Sequence, residues 1–257
     1  MLILVGLGLD TGDISVKALE ALKSADKLLL DPYTNMISDQ YLDYLEAKSG
    51  KKIVHLGRSD LEEDVPKTIK DAGEEDIAIL VSGDPMIATT HQIIIDQAVK
   101  MGINFKVLHS SSILTAAIGE SGLIPYKFGQ TTTIPFWTEK YKPTSFLETI
   151  AKNISCNYHT VVLLDYNYKI REGLKLNDAI GQLEAAEEEK STGCISKNSA
   201  IFIMGDIGKS SQLVKYAKIS EISNMAADFE GKILTLVIPA KLTIAEQDHL
   251  SRFMAPH

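Results

Sequence analysis

Gly83-Asp84-Pro85 ends an apolar run from Ala78 to Val81, and it places an acid where chemistry is easiest to do. In an α/β protein, ligands bind beyond the carboxyl ends of the strands, so a carboxylate there stands at the mouth of the sheet. Gly83 has no Cβ and lets backbone pass close to a ligand. Pro85 fixes φ and gives up an amide that the first turn of a helix does not use, so a helix from Met86 to Lys100 is the expected continuation. Asp84 then has two readings, a ligand contact or a cap on that helix. A second polar stretch, His109-Ser110-Ser111-Ser112-Ile113, follows a later apolar run and opens another helix. Its hydroxyls and amides suit either a polar ligand or a cap. A serine nucleophile is not expected: there is no GxSxG elbow, and His109 neighbours the serines in sequence only. His91, after two threonines, reads as a satisfied histidine rather than a base. Trp137, the only tryptophan, follows Pro135-Phe136 and reads as core packing or an apolar wall.

Two glycine-rich turns fail as nucleotide motifs. Gly6-Leu7-Gly8-Leu9-Asp10-Thr11-Gly12 has Thr11 where GxGxxG needs its last glycine. Gly205-Asp206-Ile207-Gly208-Lys209-Ser210 has Ile203 where a phosphate loop needs its first. Lys209 reads as a turn charge. Cys156 and Cys194 have no CxxC spacing, and the six histidines form no HExxH pair, so no metal is expected.

The elements that must carry these groups alternate in the first half. Strands are expected at Leu2–Leu7, Lys27–Leu30, Lys52–Leu56, Ile77–Val81 and Phe105–Leu108. Helices are expected from Val16, over Met36–Ala47, from a Ser59/Glu62 capping box to about Ala72, over His91–Lys100, and from the serines to about Glu120. That alternation predicts parallel βαβ units. A boundary falls at Gly122–Pro125. Beyond it, Thr131–Phe136, Thr160–Leu164, Ser199–Met204 and Ile233–Ile238 are β-rich, with helices over Ser145–Asn153, Asn177–Glu189 and Ile244–Met254. The expected class is α/β in two domains, 1–122 with a mainly parallel sheet and 123–257 with a mixed one. A cleft between them is the expected binding site.

Composition agrees with this. The 257 residues are 45% hydrophobic, enough for a substantial core, and the formal charge of -8 argues against a general nucleic-acid binder. No apolar run approaches the roughly 20 residues of a membrane span. The start reads as a strand rather than a signal peptide, and a cytoplasmic protein is expected.

Taken together, these segments resemble the diphthine synthase family over nearly the whole chain. The resemblance rests on Gly6-Leu7-Gly8-Leu9, Tyr33-Thr34, Gly83 through His91, Ser111-Ser112-Ile113, Ile134-Pro135-Phe136-Trp137, Lys142 through Phe146, His159-Thr160 and Leu163-Leu164-Asp165. Gly-Asp-Pro is shared with the wider tetrapyrrole-methylase-like superfamily; Ala-Thr-Thr-His and Ile-Pro-Phe-Trp narrow it. The resemblance implies an S-adenosylmethionine-dependent methyltransferase, usually homodimeric, with the cofactor between two domains. Its substrate would be translation elongation factor 2, on which a 3-amino-3-carboxypropyl histidine is N-methylated to diphthine, with S-adenosylhomocysteine released. It also implies cofactor contacts at Leu9, Asp84, Ile87, Ser112 and Ile113, at Leu163 or Leu164, at Gly205 and at Thr243. At two of these places the chain departs from the family pattern. Gly205-Asp206 stands where the family has Ala-Arg, and Thr243, which also makes a capping box with Glu246, stands where it has histidine.

Methyl transfer from a sulfonium needs the nucleophile, methyl and sulfur held in line, and such orientation supplies about 7–11 kcal/mol of a barrier. A carboxylate paired with the sulfonium opposes catalysis, because that charge disperses in the transition state. Asp84 is therefore expected to bind elsewhere on the cofactor or to organise its loop. The base that deprotonates the amine is open among His91, Asp165 and water. Two other readings remain: a precorrin-type methyltransferase, and a binding module that recognises the elongation factor without modifying it.

Overall fold

The structure is a computed structural model that describes residues 1–33 and 36–254; Thr34, part of the family resemblance, lies outside them. The chain divides into two compact units, Met1–Ile113 and Leu114–His257.

The first unit runs β1 (Leu2–Gly6), α1 (Val16–Ser24), β2 (Lys27–Leu30), α2 (Asp39–Ser49), β3 (Ile53–His55), α3 (Arg58–Glu62), α4 (Val65–Ile69), β4 (Ile77–Val81), α5 (Gln92–Lys100) and β5 (Phe105–Leu108). Its five strands lie in the order β3-β2-β4-β1-β5, all parallel. β1 and β4 are buried along their whole length, which is why they read as continuous apolar runs. Their residues alternate between two cores. Leu2, Leu4, Ile77 and Ile79 pack with α3, α4 and α5. Ile3, Val5, Ala78 and Leu80 pack with α1 and α2. Each fully buried Leu or Ile contributes about 1.5–3 kcal/mol. The sheet order sets β1 between β4 and β5, so the loops after these three strands emerge side by side.

The second unit holds α6 (Ile113–Ser121), which begins on the last residue of the first unit. Next come β6 (Thr132–Ile134), α7 (Ser145–Ser155), β7 (Thr160–Leu164), the hairpin β8 (Tyr166–Asn167) and β9 (Glu172–Gly173), and α8 (Leu176–Lys190). β10 (Ala200–Gly205), β11 (Leu213–Lys218), β12 (Leu234–Ile238) and α9 (Ile244–Met254) complete it. The sheet order is β11-β10-β12-β7-β6, antiparallel except between β6 and β7. One face packs on α7 and α8 through Val162, Leu164, Ile201, Ile203 and Leu236. On the other, Phe202 meets Tyr216 and Phe253 of α9 at ring-centroid distances of 4.7 and 5.2 Å. The expected α/β class, with one parallel and one mixed sheet, is the class the chain adopts.

Several local expectations are corrected. α2 starts at Asp39 rather than Met36, because Ser38 accepts the amide of Tyr41 and caps it there. Ser59 and Glu62 make no capping box: both lie inside α3, which opens at Gly57, whose amide donates to Asp60. The helix expected to reach Ala72 stops at Glu62 and restarts at Val65 with Pro66 in its first turn. β11 and the β8–β9 hairpin were not expected. Among the described residues no helix is long and apolar enough to cross a membrane.

Candidate functional site

Three loops at the carboxyl ends of β1, β4 and β5 are knotted together by hydrogen bonds. The amide of Gly8 donates to the carbonyl of Gly83 at 3.2 Å, and that of Gly83 returns to the carbonyl of Gly8 at 2.8 Å. Both glycines need left-handed backbone, with φ of 79° and 73°. Gly6 is tighter still. A Cβ there would lie 2.8 Å from the carbonyl oxygen of Gly83 and 2.8 Å from Cβ of Ser110. Asp13 closes the first loop, its Oδ2 accepting the amides of Leu9 and Asp10 and the hydroxyl of Ser111 at 2.9, 3.3 and 3.0 Å.

Asp84 is the hub. It is 6% exposed, and its Oδ1 accepts the amide of Met86 at 2.9 Å. Its Oδ2 accepts the amide of Ser110 at 3.1 Å and faces Nδ1 of His109 at 2.9 Å. No helix follows Pro85. The chain turns instead, Ala88 takes φ 57°, and α5 starts only at Gln92. The proposed cap on a helix through Met86 is corrected accordingly: the carboxylate is spent on the short Asp84–Met86 turn and on the β5 loop. The acid turn and the serine turn, distant in sequence, thus meet. So do Asp84 and His109, whose pairing was not foreseen. It depends on β4 and β5 flanking β1, an order that no local residue pattern encodes.

The other expected site residues lie as follows. Leu9 is buried in the β1 loop, Ile87 is 37% exposed in the β4 loop, Ser112 is buried in the β5 loop, and Ile113 opens α6. In the second unit, Leu164 belongs to the core. Gly205 is pressed by its neighbours: a Cβ there would lie 2.7 Å from Cδ of Lys232. Asp206 accepts the amide of Ile233 and ion-pairs with Lys209 and Lys232, so Lys209 is indeed a turn charge. Trp137 packs against the core, with its indole N–H donating to the carbonyl of Pro143 at 3.1 Å.

Among the earlier candidates for the base, His91 is buried, with Nδ1 2.9 Å from the carbonyl of Pro85 and Nε2 3.1 Å from Asp31. Asp165 holds the amides of Phe136 and Tyr166 on its two oxygens. Both are structural.

Around Thr243 the expected capping box forms. The amide and hydroxyl of Thr243 donate to Glu246 at 2.8 and 3.0 Å, and the amide of Glu246 donates to the Thr243 hydroxyl at 3.3 Å. A larger buried cluster, not foreseen, surrounds it. Glu246 also accepts from Nε2 of His159 at 2.8 Å, from the amide of Ile124 at 3.0 Å and from Nζ of Lys127 at 2.9 Å. His159 and Glu246 are both fully buried. Burial works against ionisation of Glu246, but these hydrogen bonds outweigh it and hold the carboxyl far below its ordinary range. Burial pushes the His159 imidazole down, against the pull of Glu246. Its Nδ1 accepts the amide of Ala240 at 2.9 Å, which a protonated ring cannot do. The cluster thereby fixes the segment from Ala240 to Thr243 that precedes α9.

Comparison with known proteins agrees with this architecture. The model of the family described as tetrapyrrole (corrin/porphyrin) methylases matches residues 1–223, which makes the chain a methyltransferase of that fold class. A diphthine synthase from Methanothermobacter thermautotrophicus is 37% identical over 252 residues, covering 97% of this chain and 94% of that protein. One from Methanocaldococcus jannaschii is 35% identical over 253 residues, covering 97% of each. A crystal structure of diphthine synthase superposes with a TM-score of 0.87 at 32% identity, covering 99% of this chain and 96% of that one. The chain belongs to the diphthine synthase family, S-adenosylmethionine-dependent methyltransferases of diphthamide biosynthesis.

Proposed function

We propose that the chain methylates the amino group of a 3-amino-3-carboxypropyl histidine on translation elongation factor 2, forming diphthine. In this reading the knotted loops of the first unit hold S-adenosylmethionine. The observation that carries it is the convergence of the Gly83–Ile87 and Ser110–Ile113 loops, which Asp84 ties to each other, on the β1 turn, which Gly8 ties to Gly83 and Asp13 ties to Ser111. The chemistry of the loops fits that cofactor. They offer backbone carbonyls, serine hydroxyls and the apolar side chains of Leu9 and Ile87, and contain no lysine or arginine to favour a phosphate. Bound there, S-adenosylmethionine supplies a methyl group on a positively charged sulfur that is already a good leaving group. The chain's own work is alignment. Asp84 spends its oxygens on two amides and an imidazole, so it organises the loops rather than neutralising a sulfonium.

The proposed contacts are Leu9, Asp84, Ile87, Ser112 and Ile113 from the first unit, and Leu164, Gly205 and Thr243 from the second. Thr243 contributes surface rather than a donor, since its amide and hydroxyl both serve Glu246. The working form is a cytoplasmic homodimer, on the family resemblance. The test supplies the protein with methyl-labelled cofactor and elongation factor carrying the aminocarboxypropyl histidine. Label is expected in the peptide that holds that histidine. Label absent from it, or entering a tetrapyrrole offered in parallel, would refute the reading.

A further inference from the structure

We propose that His109 is the proton acceptor that frees the substrate amine for methylation, with Asp84 holding its ring. This rests on the reading above, in which the nucleophile is an alkylamine; at neutral pH such an amine is protonated and has no lone pair to attack with. Some group must take that proton before each transfer.

His109 stands directly after β5, in the loop that Asp84 ties to β4. Its side chain is 68% exposed, while the carboxylate it meets is 6% exposed. Nδ1 lies 2.9 Å from Oδ2 of Asp84. An ionised carboxylate only accepts, so Nδ1 carries the ring proton and Nε2 keeps the lone pair. A buried acid that fixes the tautomer and aim of an exposed imidazole is the arrangement of an oriented general base. The rival groups are occupied. His91 has an oxygen at each ring nitrogen, Asp165 holds two backbone amides, and Oδ2 of Asp13 accepts three donors.

The step balances. The ammonium gives one proton to Nε2, leaving a neutral amine and an imidazolium. The Nδ1–H bond to Asp84 then joins two charged groups, which strengthens it. The amine lone pair forms the new C–N bond as the methyl–sulfur bond breaks, and that bonding pair stays on sulfur. His109 returns its proton to water before the next round. Asp84 is a positioning residue here, and His109 a catalytic one.

The test is His109→Asn, because an asparagine amide can still donate to Asp84 and so preserves the loop tie. A general base contributes typically about 10²–10⁴-fold, and the methyl-transfer rate of His109→Asn should fall by that amount. Its affinity for S-adenosylhomocysteine and its melting temperature should match the wild type. Added imidazole should restore part of the rate in His109→Ala. Three results would overturn the proposal: a wild-type rate in His109→Asn, a loss of rate that tracks lost cofactor affinity, or no response of His109→Ala to imidazole. A wild-type protein inactive on modified elongation factor would instead overturn the substrate reading, and this proposal with it.

Discussion

Glu246 shows how much a single residue can hold. It looked like half of a capping box, and it is that, but it also collects Lys127, His159 and the amide of Ile124. The box was legible because its two members lie three residues apart. Lys127 and His159 lie far off in sequence, so nothing local betrayed them. Asp84 was legible in the same partial way: its place after a buried strand marked it, while its bond to His109 did not show. The Glu246 cluster makes a stability prediction. His159 and Glu246 are both held below their ordinary values of 6.5 and 4.5, so each is deprotonated more readily in the folded state than in the unfolded. Their contributions are complete above those values and are lost as pH falls through them, because the unfolded chain then binds more protons. Urea unfolding should show stability declining below about pH 6.5 and more steeply below about pH 4.5. His159→Gln should remove the first decline, and Glu246→Ala should cost about 3–5 kcal/mol at neutral pH by leaving a buried cluster without its acceptor. An unchanged pH profile in His159→Gln would show that this histidine does not govern the first decline.

At the scale of elements, the candidate site is the rim where three strands end. β1 and β4 were plain in the sequence because strands buried on both faces need unbroken apolar runs, whereas β5 is an edge strand with Phe105 and Lys106 exposed. β11 was not, because Leu213–Lys218 is half-buried and carries two lysines, the composition of an edge strand that must resist pairing. The stretch after Pro85 was misread as helix because Gly-Asp-Pro satisfies a helix-start pattern. The tertiary pull of Asp84 on the β5 loop took the capping group away. What lets the three loops close is the missing side chain of Gly6. Gly6→Ala should drive a methyl into the carbonyl of Gly83 and the ring of Pro85, each within 2.9 Å of its Cβ. Overpacking of this kind costs about 1–3 kcal/mol. Affinity for S-adenosylhomocysteine should fall with it in the folded variant; full stability with full affinity would show that the loops need no such closeness.

For the whole molecule, each unit buries its own core, and the match to the methylase family spans residues 1–223. The family was readable from short segments scattered over the chain. The sheet orders were not, since they depend on crossovers that one sequence does not display. The formal charge of -8 argues against a general nucleic-acid binder. The central claim is the place where the methyl donor sits, and a crystal of the protein grown with S-adenosylhomocysteine tests it most directly. The ligand should lie against Leu9, Gly83 to Ile87, and Ser112 and Ile113. Density for the bound product elsewhere, with those loops untouched, would contradict the account.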